Sequence, residues 1–477
     1  MRPGFTLKLH MFRIIICLMA TVSGCTKSKS HATATDSATA SSDEHPSDAE
    51  DSDSNTGQST DDVIIDGRDC LTNPDSSLEE LDAQQLFDFD HVPAFDFYLP
   101  EDQWESLQAN AMDEKYTAVD ACFEGKYIGK IGLRFKGSFG TLYGCFDEET
   151  GDLICPRLSM KLKFSKYDDD LRFYGLKRLN FNAHRYDDTM MREKLAYDLY
   201  RSAGVMAPRS AWSVVRVNDR SYGLYGMVEE LDGRFTQDRW PDYPNGNLYK
   251  EMWPTDADET QLTDSLRTNE DNADVSSFVE FAEAINAAKD DAEVLDVLSD
   301  YTDLDLWARY MAVDEAILSY DGVTYFFTDD GVWSHNHNYY FYEDAPGHFA
   351  LLPWDAESSF WINPDHATPH WTEIPDNCLD TYPYWGGLAT APGCNPIFRA
   401  LQTDLPRWRS AARKLLDGPF DQDTMISRID KYEAFIGKFA EAKETPKEYG
   451  TFKLSVDDLR RTVKELWSRL DAQSEEE

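Results

Sequence analysis

Apolar and polar residues alternate with period two through much of the first half of the chain. Phe95–Leu99, Tyr127–Lys136 and Leu158–Phe164 read as strands on this basis, since successive strand side chains leave opposite faces. Pro100-Glu101-Asp102-Gln103-Trp104 opens a short helix with proline and acids in its first turn. Asp187-Asp188-Thr189 caps a second helix, whose Met191, Leu195 and Leu199 recur every four positions until Gly204 ends it. Ala211–Val217, Asn218-Asp219-Arg220 and Tyr222–Val228 then read as strand, turn and strand. The period changes after Leu231. A polar loop over 240–274 precedes helical patterns at Phe278–Ala288, Glu293–Leu298 and Leu304–Leu318, and 424–470 is helical almost throughout. The pattern predicts an α+β protein with a sheet-rich N-terminal lobe over 86–235, a mixed sheet with one helix. A helix-rich C-terminal lobe follows over 236–420, with C-terminal helices over 421–477 packed on it.

The first 85 residues have neither period. Arg2, Lys8 and Arg13 followed by Ile14–Ala20 have the form of an export signal, too short to remain as a membrane helix. The signal ends in Val22-Ser23-Gly24-Cys25, which resembles the bacterial lipobox. Residues 1–24 are thus expected to be removed and Cys25 lipidated, anchoring an exported protein to a bacterial membrane on its periplasmic face or at the cell surface. A simple cleaved signal with a chance cysteine is the plainer alternative. Residues 25–85 are rich in Ser, Thr, Ala and Asp with few large apolar residues, as in a disordered tether.

Charge sharpens this picture. The chain has 46 basic and 88 acidic residues, a net −42. Ten acids against three bases in 26–68 account for −7 and the signal for +3, which leaves −38 on the remainder. The lobes themselves are acidic. That excludes broad phosphate-backbone binding, so no nucleic-acid partner is expected. Of the eight cysteines, six remain beyond Cys17 and Cys25, an even number suited to disulfides in an exported chain. Cys145 and Cys155 flank a turn-rich segment, Cys378 and Cys394 close a loop around Trp385-Gly386-Gly387, and Cys70–Cys122 follows by elimination.

Candidate chemistry concentrates between Asp321 and Asp355. His337-Asn338-Tyr339-Tyr340-Phe341-Tyr342 and Phe349–Pro353 read as a hairpin. Centring it near Ala345–Pro346 pairs Tyr342 with Phe349, and places Asn338 near Pro353 and Asn336 near Asp355. A carboxylate and one or two amides at the open end suit Mg²⁺ or Mn²⁺. Asp321, in the loop Ser319-Tyr320-Asp321-Gly322, lies within reach of the same end. Any one of these acids could equally be a solvated turn residue. For Asp355 that reading is weaker, because apolar runs flank it on both sides and a carboxylate there calls for a metal or a hydrogen-bond donor. In the first lobe, Lys161 and Lys163 leave one face of their strand, suited to phosphate oxygens or simply to solvent. Glu193 could pair with one of them or lie on a surface helix face.

Strand lysine, helix glutamate, loop aspartate, asparagine and a second aspartate are the parts of a phosphoryl-transfer site. The chain lacks His-Arg-Asp, Asp-Phe-Gly and Gly-x-Gly-x-x-Gly. From about Val92 to Phe360 it instead resembles the CotH (spore coat protein H) kinase family. The resemblance rests on Val92-Pro93-Ala94-Phe95, Gly132-Leu133-Arg134-Phe135-Lys136-Gly137, Ser159–Phe164, Leu179-Asn180-Phe181-Asn182, Met191–Leu195 and Gly223–Glu229. Its sharpest motifs are His337–Tyr342 and Pro353-Trp354-Asp355. It implies a two-lobed atypical protein-kinase-like fold, ATP with Mg²⁺ or Mn²⁺, and an exported or surface protein as substrate. Asp321 would orient the acceptor hydroxyl or take its proton, and Asn338 and Asp355 would hold metal. Lys161 would meet the phosphates, with Lys163 next, and Glu193 would position the lysine. The chain departs from the family where Lys136-Gly137-Ser138-Phe139-Gly140 replaces Arg-Gly-Asn-Ser-Ser, and where Trp354-Asp355-Ala356-Glu357 replaces Trp-Asp-x-Asp. The 17-residue separation of Asp321 and Asn338 also implies an insertion near Thr328–Gly331. Two other functions fit: a non-catalytic kinase-like module of surface assembly, and a metal-dependent hydrolase built on His335, His337, Asp355, His366 and His370.

Overall fold

The alternating first half builds strands whose apolar faces meet inside one closed surface. In the computed structural model the described residues are 70–71, 81–137, 142–147, 149–328, 334–362, 368–384, 387–442 and 449–475. The export signal, Cys25 and most of the tether lie outside them, as do Asp329–Gly331 of the expected insertion. Ordered structure begins before residue 86. Cys70 is bonded to Cys122, and Asp82 caps the first described helix, α1 (Ala83–Phe87). Then come β1 (Ala94–Tyr98), α2 (Glu101–Ala109), β2 (Thr117–Phe123), β3 (Lys126–Phe135), β4 (Met160–Lys163) and β5 (Arg178–Asn182). Helix α3 (Arg192–Ser202), β6 (Ser210–Val217), β7 (Arg220–Glu229) and α4 (Gly233–Arg239) complete this half.

The expected mixed sheet is a barrel, ordered β1-β2-β3-β4-β5-β7-β6 and closed by a parallel pairing of β1 with β6, Phe95 opposite Val215. Closure leaves no edge strand. The interior is filled by Phe95, Phe97, Phe123, Leu133, Leu162 and Phe181, among others. Strand β4 keeps its predicted alternation: Met160 and Leu162 are buried, and Lys161 and Lys163 lie on the outer face. Disulfides Cys145–Cys155 and Cys378–Cys394 join Cys70–Cys122, which are the three expected pairs.

The predicted polar loop over 240–274 contains β8 (Leu248–Lys250) and α5 (Glu259–Ser265). Strand β8 is only three residues long, too short for alternation to register, and is set by pairing with the later hairpin. Next are α6 (Ser276–Ala287), α7 (Asp291–Tyr301), α8 (Leu304–Ile317), β9 (Phe326–Thr328), β10 (Ser334–His335), β11 (Tyr339–Ala345) and β12 (His348–Pro353). The chain ends with β13 (Thr381–Tyr384), β14 (Gly387–Thr390), α9 (Pro396–Gln402), α10 (Leu405–Leu416), α11 (Gln422–Glu441) and α12 (Tyr449–Glu475). Between Asp321 and Asn338 stand β9 and β10, in a sheet ordered β10-β9-β14-β13. A second large core joins α3 to α8, the hairpin β11–β12 and the C-terminal helices through Leu195, Leu199, Met311, Phe341, Leu351 and Leu459.

One buried acid in that core makes folding pH-dependent. Asp314 accepts hydrogen bonds from the hydroxyls of Tyr200 (3.2 Å) and Thr324 (3.4 Å). Burial, then the neighbouring Glu315, pushes its carboxyl up to about 8. The native state therefore holds a proton that the unfolded chain releases near pH 4. Stability from this group is fully present below that pH and is lost as pH rises through about 8. Asp314→Asn, which needs no proton, is expected to gain stability over the parent by about 2–5 kcal/mol more at pH 8 than at pH 5. Denaturant melts at the two pH values measure it.

Candidate active site

Helix α8 ends at Leu318 in a left-handed conformation (φ 49°), and the chain turns through Ser319–Gly322. The turn is tight at Gly322, where a larger residue would displace neighbouring side chains. A Cβ there would stand 2.8 Å from both Asp314 Oδ1 and Ser319 Oγ. This turn presents Asp321 to the hairpin. Asn338 Nδ2 donates to Asp321 Oδ2 at 2.8 Å and to the Asp321 carbonyl at 2.9 Å. The hairpin register is one residue from that expected: Tyr342 faces Ala350, Glu343 faces Phe349, and Tyr339 faces Pro353. A bulge between Glu343 and Ala345 places an extra residue on β11, which shifts every pair beyond it. Asn338 therefore stands beside Trp354, whose N–H donates to its carbonyl at 2.9 Å. Asn336 is buried, with its amide donating to the Val323 carbonyl at 2.7 Å. Asn338 (φ 63°) and Asp355 (φ 50°) both hold left-handed backbones, which for non-glycine residues need surrounding support.

The lysines are arranged differently from the sequence expectation. Lys161 pairs with Glu230, and Glu230 also accepts from Asn180 Nδ2 at 2.7 Å. Lys163 lies two residues along the same face, so strand rise carries it roughly 7 Å away. The charges that act on it most are those of Arg178, Lys166, Asp169 and Glu270. Glu193 meets neither strand lysine directly. Its carboxylate accepts two bonds from Asn182 Nδ2, at 3.0 and 2.8 Å, and Asn182 Oδ1 accepts the Lys136 ammonium at 2.8 Å. An amide at the end of β5 thus stands between helix acid and lysine. Lys136, one residue past β3, lies among Asp355, Glu193, Lys161 and Glu230 and over the Trp354 ring at 5.8 Å. Sequence reasoning missed it as a site residue. The available signal was a lysine two places after Arg134, hence on the same outer strand face, directly before Gly137.

Burial, then the Asp355 charge, pushes Glu193 up to about 7, against the opposing pull of Asn182 and Lys136. Burial, followed by Asp355 and Glu193, also raises Glu357 well above the usual carboxylate range. Asp321 is pushed up to about 7, mainly by burial, with Asp355 adding to it and His337 and Asn338 opposing. Among the described residues, no group of three or more His, Cys, Asp or Glu could hold a metal by itself. The donor chemistry still fits Mg²⁺ or Mn²⁺, which take one or two carboxylates and complete their shell with water and substrate phosphates. The amide nitrogen of Asn338 is committed to Asp321, which leaves its oxygen to serve as a ligand atom, and Asp355 is exposed. His335 and His337 pack edge to face with ring centroids 4.4 Å apart, whereas His370 Nε2 stands 2.9 Å from Glu315 and His337 Nδ1 3.7 Å from Glu251. His366 lies outside the described residues.

The Lys161–Glu230 pair makes a stability prediction. Burial alone would raise Glu230, but Lys161 and Asn180 outweigh it and hold the carboxyl at about 2. The stabilisation is present above the unfolded value near 4.3 and lost as pH falls toward 2. Lys161→Ala strands a buried carboxylate and is expected to cost about 3–5 kcal/mol at pH 7. Adding Glu230→Gln should recover most of that loss in a thermal or denaturant melt.

Residues 133–470 match the model of a family described as CotH kinase protein. Inner spore coat protein H of Bacillus subtilis (strain 168) is 22% identical over 204 residues, 39% of this chain and 51% of that protein. The chain thus spans about half the length of this curated relative. Among solved structures, the crystal structure of a Helicobacter pylori proinflammatory kinase, CtkA, is similar at a TM-score of 0.29 and 10% identity. The likeness covers 69% of this chain and 97% of that one. The family match takes in β4, α3, the Asp321 turn and the whole β11–β12 hairpin, well over half of the sequence. The chain belongs to the CotH kinase protein family.

Proposed function

We propose that this protein is an ATP-dependent protein kinase that works outside the cytoplasm, held to a bacterial membrane through lipid on Cys25. It would transfer the γ-phosphate of ATP to an exported or surface protein. Barrel and helical half would serve as the two lobes of a kinase-like fold. The observation that carries this reading is the meeting of Asp321, Asn338 and Asp355 at the open end of one hairpin, in a member of a kinase family. Asp321 would orient the acceptor hydroxyl and take its proton, a role helped by a carboxyl that is half-protonated near neutral pH. Asn338 and Asp355 would hold Mg²⁺ or Mn²⁺, which neutralises phosphate charge when bound. Lys161 and Lys136 would face the phosphates, with Glu193 and Glu230 keeping them in place. Lys163 becomes a weaker candidate for this role. Three disulfides accord with export, and among the described residues no helix is long and apolar enough to cross a membrane.

The test is transfer of labelled γ-phosphate to the protein itself and to surface proteins with Mg²⁺ or Mn²⁺. Metal-dependent transfer is expected. Failure to bind nucleotide with either metal would instead leave a non-catalytic module of surface assembly, the reading favoured by the coat-protein name of the relative. Stoichiometric zinc would revive the hydrolase.

A further inference from the structure

Glu193 and Tyr197 are four residues apart on α3 and so share one face of the helix. Both are buried, Tyr197 completely. The Tyr197 hydroxyl accepts the backbone N–H of Asp355 at 2.9 Å, and its charge environment includes the Glu193 carboxylate. With the Asn182 bridge, one face of α3 carries polar contacts to both sides of the site. One run goes from Lys136 after β3 through Asn182 on β5 to Glu193 on α3, and the other joins Tyr197 on α3 to the backbone of Asp355 after β12.

Two features make the last link more than a filled hydrogen bond. Asp355 holds a left-handed backbone at φ 50°, a conformation a non-glycine residue keeps only where its surroundings over-determine it. The Tyr197 ring, in contrast, is embedded in the large core with Leu195 and Leu199, so the helix sets where its hydroxyl stands. The rigid partner is α3 and the strained partner is the Asp355 loop.

We propose that Tyr197 is a positioning residue whose hydroxyl locks the Asp355 backbone to α3. Through it, the carboxylate of Asp355 keeps one placement relative to Glu193 and the Lys136–Lys161 pair. A shift of α3 would then move both sides of the site together. The role assigned to Asp355 rests on the kinase reading above, whereas the lock itself does not.

The test is Tyr197→Phe, which keeps the ring and removes the hydroxyl. In the metal-free full-length protein, hydrogen exchange in the segment Trp354–Phe360 should quicken about tenfold, the worth of one such bond. Exchange in strands β1 and β6 of the barrel should not change. Calorimetry should show affinity for Mn²⁺·ATP weakened about tenfold, and binding of ATP without metal unaltered. Unchanged exchange at Trp354–Phe360 overturns the lock, as does an equal quickening in the barrel, which would mean general loosening. Quicker local exchange with undiminished Mn²⁺·ATP affinity overturns the coupling to the site. A parent protein that binds no Mn²⁺·ATP counts against the kinase reading, and the exchange measurement still decides the lock.

Discussion

Asp355→Ala is expected to lower γ-phosphate transfer by about 10³-fold or more, with the loss concentrated in metal-dependent nucleotide binding. The reason is the poverty of the donor set. Among the described residues no group of three His, Cys, Asp or Glu could hold a metal, so the ion would depend on Asp355, the Asn338 oxygen and the phosphates themselves. Removing one carboxylate from so small a set removes most of the protein's hold. The same substitution relieves repulsion on Glu193, whose carboxyl is raised by burial and then by the Asp355 charge. Thermal stability should therefore hold or rise while transfer collapses, a pairing that misfolding cannot produce. Retained transfer in this variant would refute the assignment of Asp355 to the metal.

Asp321→Asn should have a comparable effect on turnover and a different signature. The amide keeps the shape of the side chain and an acceptor for Asn338 Nδ2, now 2.8 Å from Asp321 Oδ2, but it cannot take a proton. A fall of about 10²–10⁴ in kcat is expected with the KM for ATP nearly unchanged, since the group would act on the acceptor and not on the nucleotide. Steady-state kinetics with a fixed protein substrate separates the two variants. Equal loss of nucleotide affinity in both would mean that Asp321 belongs to the metal site.

Alternation placed Lys161 and Lys163 on the outer face of β4, because strand geometry allows no other arrangement once Met160 and Leu162 are buried. The hairpin that carries Asn338 was visible for the same reason. Its register was not, since the bulge between Glu343 and Ala345 has no signature in a run of alternating residues. Barrel closure was equally hidden: β1 and β6 lie about 120 residues apart, and a pairing that distant leaves no local periodicity.

By itself, then, the sequence determined the α+β character, the three cysteine pairs and the hairpin that leads from Asn338 back to Asp355. These follow from local period, spacing and side-chain chemistry. Tertiary structure alone decided which lysine each acid serves. Glu230, not Glu193, holds Lys161, and Glu193 reaches Lys136 through Asn182. The physical reason is that charge pairing acts over a few ångströms. Such distances are set by how β3, β4, β5, β7 and α3 pack, which no single stretch of chain records.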